Sequence, residues 1–122
     1  MGVEMRRLIL FALLLSMNFA MAGEHDDMRL MLKKWGMAYC LGTYQQQGPD
    51  NEAGMARDAY FQLGSHYEDA YKNVKKYFNR VVPADTKVSQ GTGKPNNLMR
   101  CLDAYESPEY SKLILDQDRW LY

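Results

Sequence analysis

Apolar residues recur at intervals of three and four along most of this chain, the spacing that places side chains on one face of an α-helix. The clearest run lies in residues 27–46, where Lys33 and Lys34 fall on the opposite face. Strands need alternation over several residues, and Val81-Val82 and Lys87-Val88 are too short to supply it. The sequence therefore predicts an all-α fold. The apolar stripe of the first helix comprises Met28, Met31, Leu32, Trp35, Ala38, Tyr39 and Leu41.

Turn and capping residues indicate where the next two helices begin. Gly48-Pro49-Asp50 interrupts the first helix because proline cannot continue it, and Asp50 or Asn51 can cap a second helix over residues 52–63. Ser65-His66-Tyr67-Glu68 has the spacing of a capping box, which predicts a third helix that starts there and ends at Pro83. The expected inward residues are Ala56, Ala59, Tyr60 and Leu63 in the second helix, and Tyr67, Ala70, Tyr71, Val74, Tyr77, Phe78 and Val81 in the third.

Two further helices are predicted near the C-terminus, which makes about five in all. The fourth begins at Asn96 or Asn97. The fifth runs from Pro108 towards Trp120, with Ser107 as its N-cap. The expected inward residues are Leu98, Cys101, Leu102 and Tyr105 in the fourth helix and Tyr110, Leu113, Ile114 and Leu121 in the fifth, whereas Asp116, Gln117 and Asp118 are expected to face water.

The longest stretch without helical periodicity is the loop of residues 84–95. Loops of this length within a small domain are often functional or disordered. Its Gly91-Thr92-Gly93-Lys94 segment is only superficially similar to a phosphate-binding loop. The first glycine of that motif is missing, and Pro95 stands where serine or threonine would hold magnesium. We therefore expect no nucleotide and no other cofactor.

The N-terminal segment has the features of an export signal. Arg6 and Arg7 precede an apolar run in residues 8–20, which is too short to span a hydrocarbon core of about 30 Å. Ala20-Met21-Ala22 supplies the small residues that signal peptidase requires, and no basic stop-transfer cluster follows. We expect cleavage after Ala22, which leaves residues 23–122 as a single domain outside the cytoplasm, without a membrane anchor.

Charge and histidine placement exclude several classes of function. Removing Arg6, Arg7 and Glu4 from the 15 basic and 15 acidic residues leaves 13 and 14, and no basic stripe remains for nucleic acid or an anionic membrane. His25 and His66 are too far apart to predict a metal site. The His25-Asp26-Asp27 segment is better explained as a solvated terminus, so we expect neither a metal ion nor catalysis.

Cys40 and Cys101 are the two cysteines of the chain, and both remain after signal removal. In an oxidising compartment, two cysteines within apolar helical stripes favour one disulfide. The alternative is a catalytic thiol, which needs a free cysteine beside a base or a helix N-terminus. A small exported helical domain with one disulfide, many tyrosines and one long loop favours the binding of another protein.

Several short motifs lie in order along nearly the whole mature chain. They are Trp35, Tyr39-Cys40-Leu41, Ala59-Tyr60, Leu63-Gly64, Tyr67-Glu68-Asp69-Ala70-Tyr71 and Asn97-Leu98-Met99-Arg100-Cys101-Leu102-Asp103, followed by Tyr105 and Ser107. Their order, together with the cysteine positions and the export signal, resembles the type VI secretion amidase immunity proteins.

This resemblance implies a periplasmic antitoxin, all-helical and often a homodimer. Such a protein binds a peptidoglycan amidase delivered by neighbouring bacteria, a cysteine and histidine hydrolase, and occludes its active-site cleft. In the family an exposed loop enters the cleft, and the best positional candidate here is residues 89–94. Two glycines would let the backbone enter a narrow groove, and the polar side chains would supply contacts. The candidate contact residues are Ser89, Gln90, Gly91, Thr92, Gly93 and Lys94.

Other interpretations of these residues stay open. One is a periplasmic structural or adaptor domain whose tyrosine-rich helices bind an envelope protein. Another is a small cell-wall hydrolase that acts through a free cysteine. Residues 84–95 could also be a flexible surface connection without a partner. The position of the gene beside a toxin gene, and a thiol titration of the native protein, would separate these possibilities.

Overall fold

The computed structural model describes residue 23 and residues 25–122, which contain five α-helices. The all-α prediction is confirmed, whereas the predicted signal peptide of residues 1–22 and its cleavage site lie outside the described part of the chain. No helix within that part is long and apolar enough to cross a membrane. The described part of α1 covers residues 25–44, and it is followed by α2 (Glu52–Gln62), α3 (Glu68–Ala84), α4 (Asn97–Glu106), α5 (Pro108–Asp116) and a 3₁₀ helix (Gln117–Trp120).

Three helices begin at side-chain caps. The Asn51 side-chain oxygen accepts a hydrogen bond from the Gly54 N–H at 3.3 Å, which confirms one of the two predicted caps for α2. Asn96 caps α4 in the same way. Ser107 caps α5, as predicted, and Pro108 occupies the first helical position, where a missing N–H costs nothing.

The predicted capping box at Ser65 is wrong. α3 begins three residues later, and Tyr67, which is half exposed, supplies no side-chain cap. The Tyr67 N–H instead donates to the Trp120 carbonyl oxygen at 2.7 Å, and the Tyr122 N–H donates to the Ser65 carbonyl oxygen at 3.2 Å. This pairing with the C-terminus keeps the α2–α3 connection extended, so His66 lies in a backbone bridge rather than in a helical turn.

The core lies between facing sides of α1, α3, α4 and α5. Trp35 of α1 meets Tyr71 of α3 edge to face, with ring centroids 4.9 Å apart, and Tyr110 of α5 stacks on Tyr77 at 5.0 Å. These contacts confirm the apolar faces predicted for α1, α3 and α5, except that Tyr67, predicted to face inward, is exposed. The buried apolar cluster comprises Leu32, Trp35, Cys40, Ala70, Tyr71, Val74, Tyr77, Phe78, Val82, Cys101, Ala104, Tyr110 and Ile114.

The predicted disulfide is formed. Cys40 of α1 and Cys101 of α4 are joined, with Cα atoms 5.9 Å apart and neither residue exposed. Both sulfurs are consumed by this bond, so neither is available as the nucleophile that a cysteine hydrolase requires.

α2 contacts the bundle through only part of the predicted face, at Ala56 and Tyr60, which are partly buried. Ala53 and Gly54 are buried, whereas Ala59 and Leu63 are exposed. Other large apolar residues of this helix, such as Phe61, are also exposed. Because its apolar side chains are distributed around the axis, their spacing does not define a single inward face.

On α4, Leu98 and Leu102 are exposed rather than inward as predicted. Cys101 faces the interior as predicted, and its neighbour Arg100, which was not among the predicted inward residues, does so too. The predicted face of α4 is therefore confirmed at Cys101 and wrong at the two leucines.

The end of α5 also differs from the prediction. Gln117 is buried, not solvated. Its amide nitrogen donates to the Leu113 carbonyl oxygen at 3.0 Å, and its amide oxygen accepts from Asn73 at 2.9 Å. Asp118 is half-buried and binds Arg29 of α1 through both carboxylate oxygens, at 3.0 and 3.2 Å from Nε. These bonds fix the C-terminal segment against α1 and α3.

Candidate functional site

The segment between α3 and α4 forms a short hairpin, residues 88–95. Its first and last residues, Val88 and Pro95, pair through an antiparallel bridge. Within it, the Ser89 N–H donates to the Lys94 carbonyl oxygen at 2.8 Å, and the Gly93 N–H donates to the Ser89 carbonyl oxygen at 2.8 Å. The turn is therefore closed by its own backbone rather than by side-chain packing.

All six predicted contact residues lie together on this turn, which we call the tip (residues 89–94). Ser89 is half-buried and the other five are exposed. A Cβ at Gly91 would meet no atom within 4 Å, and Gly93 has a φ of 66°, which glycine adopts without steric cost. Lys94 forms no ion pair with any residue that the structure describes. The tip thus offers polar groups and one cation at a narrow, unobstructed turn.

Lys87 and Asn96 flank the hairpin, and we call this pair its base. Lys87 joins the base to the helices on both sides. Its carbonyl oxygen accepts hydrogen bonds from the Asn96 N–H at 3.2 Å and from Arg100 Nε at 2.9 Å. Its ammonium lies 2.9 Å from the Asp85 carboxylate and 3.1 Å from that of Asp103. Asp85 follows α3 directly, and Arg100 and Asp103 belong to α4. The base is therefore anchored to both helices while the tip is free.

The charges at this base support one another. The hydrogen bond from the Lys87 ammonium, together with one from the Lys87 N–H, lowers the pKa of the Asp85 carboxyl group. Conversely, hydrogen bonds to Asp85 and then to Asp103 raise the pKa of Lys87. Both groups therefore keep their charges at neutral pH. Because these side chains are partly solvated, screening limits what the pairs add to stability.

The sequence pattern indicated the tip but not its base. Arg100 is only 8 % exposed, although arginine is rarely buried without a carboxylate partner. Its position beside the inward-facing Cys101 is one available signal. Another is the spacing of Asp85 and Lys87, since the Asp85 side chain accepts the Lys87 N–H at 2.9 Å in a local turn typical of aspartate.

Two surface grooves lie outside the hairpin. One, of about 620 Å³, lies between α1, α2 and α4 and has a largely apolar floor that includes Met37, Leu41 and Tyr60. The other, of about 530 Å³, lies between α3 and α5 and is lined mainly by charged residues. No three histidine, cysteine or carboxylate side chains of the described chain are grouped so that they could hold a metal ion.

The described residues thus form a small disulfide-linked helical bundle that presents an anchored hairpin. The chain belongs to the Tai4 family, the type VI secretion system (T6SS) amidase immunity proteins, whose family model matches residues 30–114. This match spans both cysteines and the whole hairpin, and it confirms the family indicated by the sequence motifs. Immunity proteins of this family are inhibitors, not enzymes, and act against periplasmic effectors. No curated protein matches this chain.

Proposed function

We propose that the mature chain, residues 23–122 after cleavage at Ala22, is a periplasmic immunity protein that occludes the active-site cleft of its cognate peptidoglycan amidase. The tip, Ser89–Lys94, enters the cleft, and inhibition is steric. The observation that carries this proposal is the combination of an exposed tip with a base anchored to α3 and α4. Family membership supplies the class of partner.

The tip is preorganised for binding, and this is the physical argument for its role. A turn already closed by backbone hydrogen bonds loses less conformational entropy on association than a free loop does. Gly91 and Gly93 keep the turn narrow, so that its backbone can approach the walls of a cleft closely. Gln90, Thr92 and Lys94 carry exposed polar atoms that can replace water in such a cleft.

The first test removes the polar side chains of the tip and keeps its backbone. The tip variant, Gln90→Ala/Thr92→Ala/Lys94→Ala, retains both glycines. We expect it to bind the amidase about 100-fold more weakly, since three interface side chains contribute about 1 kcal/mol each. Calorimetry with the purified amidase measures this, and protection against lysis in cells that export the amidase measures its consequence. Gln62→Ala/Lys72→Ala, at exposed positions of α2 and α3, is the matched control.

Two outcomes would contradict the proposal at different levels. Unchanged affinity of the tip variant, with unchanged helical content, would move the contact to another surface of the same inhibitor. Failure of the unaltered protein to bind or protect against the amidase encoded beside it would reject the pairing altogether. It would then favour the alternative of an adaptor domain for an envelope protein.

We also propose that the mature protein is a homodimer, as the resemblance implies. A group of exposed apolar side chains supports self-association, because such patches on small proteins commonly mark interfaces. Tyr67 and Tyr122 contact each other there, with ring centroids 5.2 Å apart, and Phe61 and Leu63 lie at the nearby end of α2. Sedimentation equilibrium of the mature protein tests this, and a monomeric mass at micromolar concentration would reject it.

A further inference from the structure

Arg100 is a buried cation at the base of the hairpin. It is 8 % exposed, and its Nε donates to the Lys87 carbonyl oxygen at 2.9 Å. No carboxylate of the described chain lies within ion-pair distance of it. Arg100 also helps to lower the pKa of the Asp85 carboxyl group, so it contributes to the electrostatics of this base without a direct ion pair. The one hydrogen bond that its side chain forms within the described chain is with the hairpin base, so its placement points to a role in holding the hairpin.

The Lys87 carbonyl oxygen is the point through which Arg100 acts. That oxygen also accepts the N–H of Asn96, the residue after the hairpin, so this bond closes the two ends of the base. The bond from Arg100 then ties the closed base to α4. The next residue of α4, Cys101, is linked to α1 by the disulfide, which fixes α4 itself. A continuous set of bonds thus connects the core to the hairpin.

The planar guanidinium of Arg100 is suited to fixing the orientation of the hairpin relative to the bundle. Its donors have fixed angles, whereas the Lys87 ammonium that reaches Asp85 and Asp103 rotates on a flexible stem at the surface. Loss of those exposed ion pairs would leave the backbone of the base in place. Loss of the Arg100 bond would let the hairpin swing about its ends, and the backbone hydrogen bonds that close it would open more often.

We propose that Arg100 is a positioning residue for inhibition, an inference that rests on the proposed function of the tip. It fixes the angle at which residues 89–94 leave the bundle, acts through the Lys87 carbonyl oxygen and does not contact the amidase. Because the hairpin is already held in this orientation, binding to the amidase costs less conformational entropy, and the affinity is higher for this reason.

The test compares two substitutions of Arg100. Arg100→Met keeps much of the side-chain length and removes the donor, so affinity for the amidase should fall about tenfold, the value of one charge-assisted hydrogen bond. Amide hydrogen exchange at Ser89 and Gly93 should accelerate. Arg100→Lys restores a donor without the fixed plane, so its affinity should be intermediate. Arg57→Met on α2, where the arginine is near only its neighbour Asp58 among the described carboxylates, is the control and should match the unaltered protein.

A double-mutant cycle separates positioning from general destabilisation. Introduced into the tip variant, Arg100→Met should cause no further loss of affinity, because there is then no productive tip to orient. Additive losses, or an unchanged affinity of Arg100→Met beside a weakened tip variant, would overturn the inference and leave the proposed function intact.

The inference can also be tested where the proposed function fails. If the tip variant binds as tightly as the unaltered protein, occlusion by the tip is rejected, and the positioning role for inhibition falls with it. Exchange at Ser89 and Gly93 would then still show whether Arg100 holds the hairpin. If Arg100→Met does not fold, Arg100→Lys decides the matter, since affinity and exchange equal to those of the unaltered protein would overturn the proposal.

Discussion

At the scale of single residues, His66 is a buried titratable group whose protonation is coupled to folding. It is 4 % exposed, and neither ring nitrogen has a hydrogen-bond partner among the described atoms. Burial lowers the pKa of this imidazole, and the nearby Asp118 carboxylate opposes that effect only in part. Asp118 is already bound by Arg29, so a proton on His66 would add a cation beside an existing ion pair.

Acidification should therefore destabilise the fold in a defined pH range. The unfolded chain takes up the proton near the ordinary histidine pKa of 6.5, whereas folded His66 resists it. The free energy of unfolding should be constant above that pH and fall as the pH decreases below it, until folded His66 is protonated as well. Urea unfolding between about pH 7.5 and pH 5 measures the slope. In His66→Leu this slope should disappear, whereas in His25→Gln, at an exposed position, it should persist.

A retained slope in His66→Leu would assign the pH dependence to another group. Asp118 is not a candidate in this range, because the Arg29 hydrogen bond lowers the pKa of its carboxyl group below an ordinary value of 3.8. Its contribution is lost only at more acidic pH, where the carboxylate is protonated.

Buried polar residues are where sequence patterns predict least. Gln117 and Arg100 are interior because each finds a partner far along the chain, Asn73 for the first and Lys87 for the second. Hydrophobic periodicity assigns such side chains to the solvent, since it contains no information about distant hydrogen-bond partners. Core residues such as Val74 and Phe78, which need only an apolar neighbourhood, were predictable for the same reason.

At the scale of helices, the close packing of α1 depends on a residue that has no side chain. A Cβ at Gly36 would contact the Tyr110 hydroxyl oxygen and would lie 2.7 and 2.8 Å from side-chain carbons of Val74 and Phe78. The same Tyr110 hydroxyl donates to the Lys33 carbonyl oxygen at 2.8 Å. α1 thus approaches α3 and α5 more closely than any larger residue at position 36 allows.

Gly36→Ala should destabilise the protein despite the better helix propensity of alanine. The gain of up to about 1 kcal/mol from propensity is outweighed by overpacking of roughly 2–3 kcal/mol against three rigid neighbours. Urea unfolding at neutral pH measures the difference. Gly42→Ala on the same helix is the matched control, because its Cβ would lie 3.6 Å from that of Ala53, an ordinary contact. It should be neutral or stabilising, and equal effects of the two substitutions would contradict the packing explanation.

Helix existence was predictable, and helix contacts were less so. The stripe of α1 and the face of α3 are regular enough to identify the inward residues, and Asn51 and Ser107 mark helix starts locally. The capping box predicted at Ser65 does not form, because the backbone groups of Ser65 and Tyr67 bind the C-terminal segment instead. That segment lies more than 50 residues away along the chain. Local capping rules do not include that competitor.

At the scale of the whole molecule, long-range links connect α1 to the C-terminal half of the described chain. Arg29 of α1 binds Asp118 beyond α5, and the disulfide joins α1 to α4. The hairpin could be predicted as a loop with glycines and polar residues, because those features are local. Its anchoring could not, since it depends on how α4, held by Cys101, presents Arg100 to Lys87.

The disulfide should supply a large share of the stability of this domain. It joins residues 61 positions apart, and closing a loop of that size restricts the unfolded chain by about 4 kcal/mol on the chain-entropy model. Cys40→Ala/Cys101→Ala should therefore unfold at a much lower urea concentration, while its helical content under native conditions stays unchanged if the remaining core suffices. Adding a thiol reductant during unfolding should lower the midpoint of the unaltered protein and leave that of the double variant where it is. A reductant effect of equal size on both proteins, or equal midpoints without reductant, would contradict a stabilising disulfide.

Because the same bond fixes α4 beneath the hairpin, the double variant should also show faster amide exchange at Ser89 and Gly93, in conditions where the bundle is still folded.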